Sequence, residues 1–163
     1  MRAASIAAFD DPSIGTLLDA LRDSWAWEDR FSFVAVHRDQ IVAQVLYTHS
    51  ILDAPERLLE VATLSPIGVL PHLQRMGIGR RLILETLPVL DTIGVPMVFL
   101  EGNPRYYERF GFEQATLQGF RKPSERIPDE AFQFHRLCRF DPNSRGTLVY
   151  PDAFWRTDSV GLR

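Results

Sequence analysis

Ile14, Leu17, Leu18 and Leu21 fall at i, i+3, i+4 and i+7, and this single apolar stripe predicts an amphipathic helix. Asp11 is placed to cap it, with Pro12 at its first position. Trp25 and Trp27 follow in a second short helix or a loop. Residues 31–36 and 41–47 are rich in β-branched and aromatic side chains and read as strands. The four residues from His37 to Gln40 turn one into the other. Residues 58–70 are expected to fold back as a further strand past the Asp53-Ala54-Pro55 turn. A second helix carries Leu82, Ile83, Leu87 and Leu90 and stops at Gly94, with Pro88 expected to kink its second half. Residues 95–100 form a short buried strand and 105–110 a helical turn ended by Gly111. Two last strands, 131–140 and 147–150, are joined by a turn over 141–146. Helix, hairpin, strand, helix, strand, short helix and strands in that order point to an α/β or α+β fold with a mixed sheet.

Composition narrows the class. The chain has 163 residues, with no repeat and no linker to divide it, so residues 1–163 read as a single domain. Apolar residues at 45% and charged residues at 24% are those of a globular protein and exclude a disordered or low-complexity chain. One cysteine, Cys138, excludes an internal disulfide and a thiolate cluster. His37, His49, His72 and His135 are scattered, so no metal is expected. A net charge of −3 argues against a nucleic-acid partner. Glu60, Pro66, Pro71 and Pro88 interrupt the apolar stretches before any reaches the ~20 residues of a membrane span. A cytoplasmic protein, monomer or homodimer, is the expectation.

The strongest chemical signal is Gln74-Arg75-Met76-Gly77-Ile78-Gly79-Arg80-Arg81, after a strand and at the opening of a helix. Its glycines let a ligand approach the backbone, and the first N–H groups of a helix have no intrahelical partner, so such an end attracts a diphosphate. A nucleoside-triphosphate loop would need GxxxxGK[ST], and a dinucleotide fold a third glycine where Leu82 stands. The preceding strand holds Pro66, Gly68 and Pro71, residues that break ladder hydrogen bonds and mark bulges. Main-chain groups freed there suit a ligand that carries its own amides. Coenzyme A joins two amides to a diphosphate.

With these two features, the segment Gly102-Asn103-Pro104-Arg105-Tyr106-Tyr107-Glu108-Arg109-Phe110-Gly111-Phe112 completes a pattern that resembles the GNAT N-acetyltransferase superfamily. The match is strong over residues 58–112, and the tail resembles a subgroup of small bacterial acetyltransferases. The resemblance implies a mostly antiparallel sheet splayed between the strands at 58–70 and 95–100, flanked by helices. It also implies acetyl-CoA as co-substrate and direct transfer of the acetyl group to a primary amine of a small molecule or peptide. By that resemblance, Ile67, Val69 and Leu70 offer main-chain groups to pantetheine. Arg75, Met76, Gly77, Ile78, Gly79 and Arg80 hold the diphosphate, and Asn103 touches the cofactor. Tyr107 is the general acid and Tyr106 a packing residue. A phenol near pKa 10 can protonate a thiolate whose acid lies near 8.5. The usual first strand of the family would have to fit within residues 2–9.

A base must take the amine proton, and no residue stands out. Glu60 is the first candidate, with Glu101, His49 and a water wire as rivals. Trp25, Trp27, Phe132, Phe134 and Phe154 are candidates to line the acceptor pocket, although aromatics more often fill cores. Asp53, Glu56, Glu60 and Glu101 are candidates to draw in a cation. The rival function is a non-catalytic acyl-CoA-binding regulator that acts on a protein partner.

Overall fold

The computed structural model describes residues 12–161. The Asp11 cap and the first strand over 2–9 lie outside the described residues. Helix α1 (Pro12–Arg22) buries Leu17, Leu18 and Leu21, the stripe read from the sequence. Strands β1 (Ser32–His37) and β2 (Gln40–Asp53) form the expected hairpin. Arg38 and Asp39 turn it at φ 49° and 61°, the left-handed pair that matches the twist of the flanking strands. Strand β3 (Leu58–Val69) returns antiparallel to β2. Helix α2 (Ile78–Ile93) then leads to β4 (Met97–Glu101), which lies parallel to β3.

The remaining elements are short. They are α3 (Pro104–Tyr107), β5 (Glu113–Gln114), β6 (Phe120–Arg121), β7 (Phe132–Arg136), β8 (Gly146–Val149) and α4 (Asp152–Arg156). The sheet runs β5-β7-β4-β3-β2-β8-β6, with β1 also on β2. Side chains alternate across it. Val45 and Tyr47 of β2 join a core with Leu82 and Ile83 of α2, and Leu46 and Leu52 join one with Leu17 of α1 and Phe154 of α4. Within the second core Phe99 contacts Phe120, Phe132 and Phe134 at centroid distances of 5.2, 5.5 and 5.8 Å. Phe132 and Phe134, candidates for the acceptor pocket, are therefore core residues, and Trp25 is exposed.

Two irregularities define the site. Strands β3 and β4 pair only through Ala62–Val98 and Thr63–Phe99, then part. Against β2, the register of β3 passes from Tyr47–Leu64 to Val45–Ile67. Two steps on one strand meet three on the other, so β3 carries one extra residue, a bulge at Ser65-Pro66, whose peptide is cis. The splay inferred for this strand pair is present.

Helix α2 runs without a break through Pro88. The carbonyl that Pro88 cannot serve belongs to Leu84, and both residues face solvent, so water can satisfy it. Among the described residues no helix is long and apolar enough to cross a membrane.

Candidate functional site

Where β3 and β4 part, an open groove of about 470 Å³ runs from the bulge to the start of α2. One wall is Ile67, Gly68 and Val69. The Leu70 N–H turns to β2 and donates to the Val42 carbonyl at 2.9 Å. Alternation then aims the main-chain groups of Ile67 and Val69 at the open edge. The Val69 carbonyl accepts from the Gln74 amide at 3.1 Å, which ties the glycine loop to the strand. The Ile67 groups stay directed at the groove.

The other wall is the helix start. Gly77 caps α2 at φ 83° without a side-chain bond, and the first intrahelical bond runs from the Arg81 N–H to the Gly77 carbonyl at 2.9 Å. The N–H groups of Ile78, Gly79 and Arg80 therefore have no carbonyl within the helix, and the positive end of its dipole faces the groove. Arg75, Arg80 and Arg109 line the groove, and no carboxylate among the described residues does. At Gly79 a Cβ would lie 3.1 Å from the Tyr106 hydroxyl, so this glycine keeps the groove open. These features fit the amide-and-diphosphate shape inferred from the sequence.

Of the proposed binding positions, Ile67, Val69, Arg75, Gly77, Ile78, Gly79 and Arg80 come together in this groove. Three others stand apart. Leu70 spends its N–H on β2. Met76 is exposed and lines a second, apolar groove between β1 and α2. The Asn103 Oδ1 accepts from the Arg105 N–H at 3.0 Å and so caps α3. Arg81 is held by Glu85 at 2.7 Å on the same far side as Met76. Arg109 and Tyr106 supply what the spacing did not point to. Tyr106, read as a packing residue, has its ring beside the Arg109 guanidinium at 5.4 Å and lines the groove.

Tyr107 packs against Tyr106 and Phe112 at centroid distances of 4.9 and 5.8 Å, and Gly102 leaves room for its ring at the end of β4. Burial pushes its phenol well above the usual tyrosine range, so it keeps its proton at any physiological pH. The two tyrosines separate by experiment. Tyr107→Phe should lower kcat roughly 100-fold with CoA affinity unchanged, the size expected of a lost general acid. Tyr106→Phe should weaken CoA and leave kcat nearly intact. Steady-state kinetics beside calorimetry reads both.

On the other side of the bulge is a cavity of about 160 Å³, bounded by Thr63, Leu64 and Ser65 of β3 and by Glu101, Tyr150 and Phe154. Glu101 Oε2 accepts from the Gly161 N–H at 3.0 Å, and the Tyr150 hydroxyl bonds the same carboxylate. Burial raises the Glu101 pKa above the ordinary glutamate value, and these two bonds and Arg126 only partly offset it. Glu60, the first candidate for the base, is exposed. It lies six residues before Pro66 on β3, roughly 20 Å along the strand at ~3.3 Å per residue. It lines neither cavity, whereas Glu101 lines the second. His49 packs at a tilt against Phe31, ring centroids 4.8 Å apart, and lines neither.

A splayed sheet with a cationic, amide-lined groove beside one strand and a buried carboxylate beyond it defines a class of protein that binds a long anionic, amide-bearing ligand next to a second, smaller one. Residues 3–115 match the acetyltransferase (GNAT) domain family. The chain is 30% identical over 143 residues to an uncharacterized N-acetyltransferase of Escherichia coli, YjhQ, covering 85% of this chain and 74% of that one. It is 33% identical over 120 residues to YhbS of the same organism, covering 72% and 69%. The crystal structure of YhbS in complex with CoA superposes with a TM-score of 0.82 at 27% identity, over 93% of this chain and 82% of that one. A GNAT acetyltransferase of Brucella melitensis in complex with acetyl-CoA gives 0.73 at 28%, over 94% and 88%. The chain belongs to the GNAT acetyltransferase family.

Proposed function

We propose that this protein transfers an acetyl group from acetyl-CoA directly to a primary amine, with Tyr107 and Glu101 handling the protons. One observation carries the reading. A single bulge divides two cavities of opposite character, with residues 67–69 on the cationic groove and 63–65 on the cavity that holds Glu101. A thioester lying along the groove would bring its carbonyl to the bulge, where the amine approaches from the other side. The complexes of YhbS with CoA and of the Brucella protein with acetyl-CoA support the choice of ligand.

Glu101 accepts the ammonium proton, directly or through water, and a carboxylate with a raised pKa is better matched to that task than an ordinary one. The freed nitrogen attacks the carbonyl, a C–N bond forms and the C–S bond breaks, and the second proton that the nitrogen sheds on becoming an amide replaces, through water, the one Tyr107 gives up. Tyr107, whose ring stands 4.9 Å behind that of the groove-lining Tyr106 and is not itself on the lining, holds the proton that the departing thiolate takes. The groove's own share is position: the open N–H groups of α2 and the three arginines orient the anionic end, and the Ile67 main chain orients the amide arm.

Titration with acetyl-CoA in a calorimeter, followed by thiol release over an amine panel, tests the proposal. Micromolar binding and amine-dependent release are expected. Binding with no release on any amine would move the reading to the regulator, and no binding would remove the groove assignment.

A further inference from the structure

We propose that the cavity at Glu101 admits a primary amine carried on an unbranched alkyl arm without a neighbouring carboxylate, and that the segment from Ser159 to Gly161 is the wall that limits this arm. The inference rests on the acyl transfer proposed above and adds what the acceptor must be. Three features argue it: size, charge and the fastening of the wall.

The cavity volume of about 160 Å³ holds on the order of five non-hydrogen atoms at the ~30 Å³ that a water occupies in the liquid. Leu64, Phe154 and the Tyr150 ring are apolar walls suited to methylene groups. Among the described residues, Glu101 is the one carboxylate on the lining, and no Lys, Arg or His shares it. Arg126, close enough to influence Glu101, is already paired with Asp158 at 2.7 Å. A free amino acid would carry its own carboxylate two bonds from the reacting nitrogen and set it beside Glu101, with no cation among the described lining residues to receive it. Two carboxylates in such a site oppose one another's ionisation. An alkyl ammonium brings only the charge that Glu101 favours.

The wall is a fixed part of the fold. Val160 is 1% exposed and belongs to the core that contains α1 and α4. The Ser159 N–H donates to the Phe154 carbonyl at 2.8 Å, and the Ser159 and Thr157 hydroxyls bond at 2.9 Å. The Gly161 N–H holds Glu101 from the same segment. At Gly161, where φ is 90°, a Cβ would lie 3.0 Å from the Arg126 Cβ, so the backbone approaches as closely as a glycine permits. One segment therefore orients the carboxylate and closes the space in front of it.

The test is thiol release from acetyl-CoA with 1,4-diaminobutane, n-butylamine, alanine and an alanyl dipeptide. The two alkylamines should exceed alanine and the dipeptide in kcat/KM by roughly 100-fold, the scale set by an unmatched polar group in a specificity pocket. Ser159→Leu fills the cavity and should cost the alkylamines at least about tenfold with the Kd for CoA unchanged, although loss of the hydroxyl bond to Thr157 should lower the melting temperature. Ser159→Thr adds less volume, should fall between, and serves if the leucine variant does not fold. Alanine or the dipeptide matching the alkylamines would overturn the inference and leave acyl transfer standing. Unchanged diaminobutane kinetics in folded Ser159→Leu would do the same. CoA bound without release on any of the four would defeat the transfer reading itself.

Discussion

Gly77→Asp should abolish CoA binding in a protein that still folds. The residue caps α2 at φ 83°, and the space around its Cβ is open, with nothing within 4 Å. An L-residue in that conformation costs about 1–2 kcal/mol. The loss expected in binding is larger, because the new carboxylate stands at the mouth of the N–H groups that would otherwise receive a diphosphate and opposes it with like charge. The Kd for CoA should rise by at least about 100-fold, since both the repulsion and the lost charge-assisted hydrogen bonds act on the same ligand atoms. Gly77→Ala separates the two causes: it carries the backbone strain without the charge and should keep most of the affinity. Calorimetry with both variants, beside thermal melts, checks this. Full affinity in the aspartate variant would place the anion elsewhere.

Glu101→Gln should leave CoA affinity intact and lower kcat by about 10²–10⁴-fold, the range for a lost general base. In the parent protein kcat/KM should rise with pH through the raised pKa of Glu101, later than an ordinary glutamate would allow. The same shift has a stability consequence of defined sign. The folded chain holds this proton to higher pH than the unfolded chain does. Its contribution is therefore complete below the usual glutamate range and is lost as pH rises through the raised value. Glutamine keeps a carbonyl oxygen to accept from the Gly161 N–H and the Tyr150 hydroxyl, and it carries no charge to bury. The variant should melt no lower than the parent at neutral pH while its turnover collapses. Melting curves and rate profiles over the same pH range check both halves. A rate that survives the substitution would assign the proton to water.

The glycine loop and the broken strand were legible because their chemistry is local. Gly77 and Gly79 must suit their own backbone, and Pro66 marks its own bulge. The long elements announced themselves by period, as Leu17, Leu18 and Leu21 show. What stayed hidden depends on contacts across the chain. Glu101 and Glu60 look alike in sequence, and only Gly161, 60 residues away, and Tyr150 distinguish them. Asn103 fits a ligand contact and a helix cap equally well in sequence, and only the fold shows its Oδ1 on the Arg105 N–H. Strands β5 and β6 have two residues each, too few to show any alternation. Pro88 does not end its helix, because the Leu84 carbonyl it leaves unserved faces solvent.

The bulge in β3 also makes the two halves of the chemistry separable. Under the proposed transfer, residues on one side of Pro66 would answer to the donor and those on the other to the acceptor, and Tyr106 and Ser159 touch different cavities. A substitution on the acceptor side leaves the donor side's shape untouched. If the proposed transfer holds, such a frame could change what it modifies while keeping what it modifies with, by exchanging a wall and not by rebuilding the donor groove.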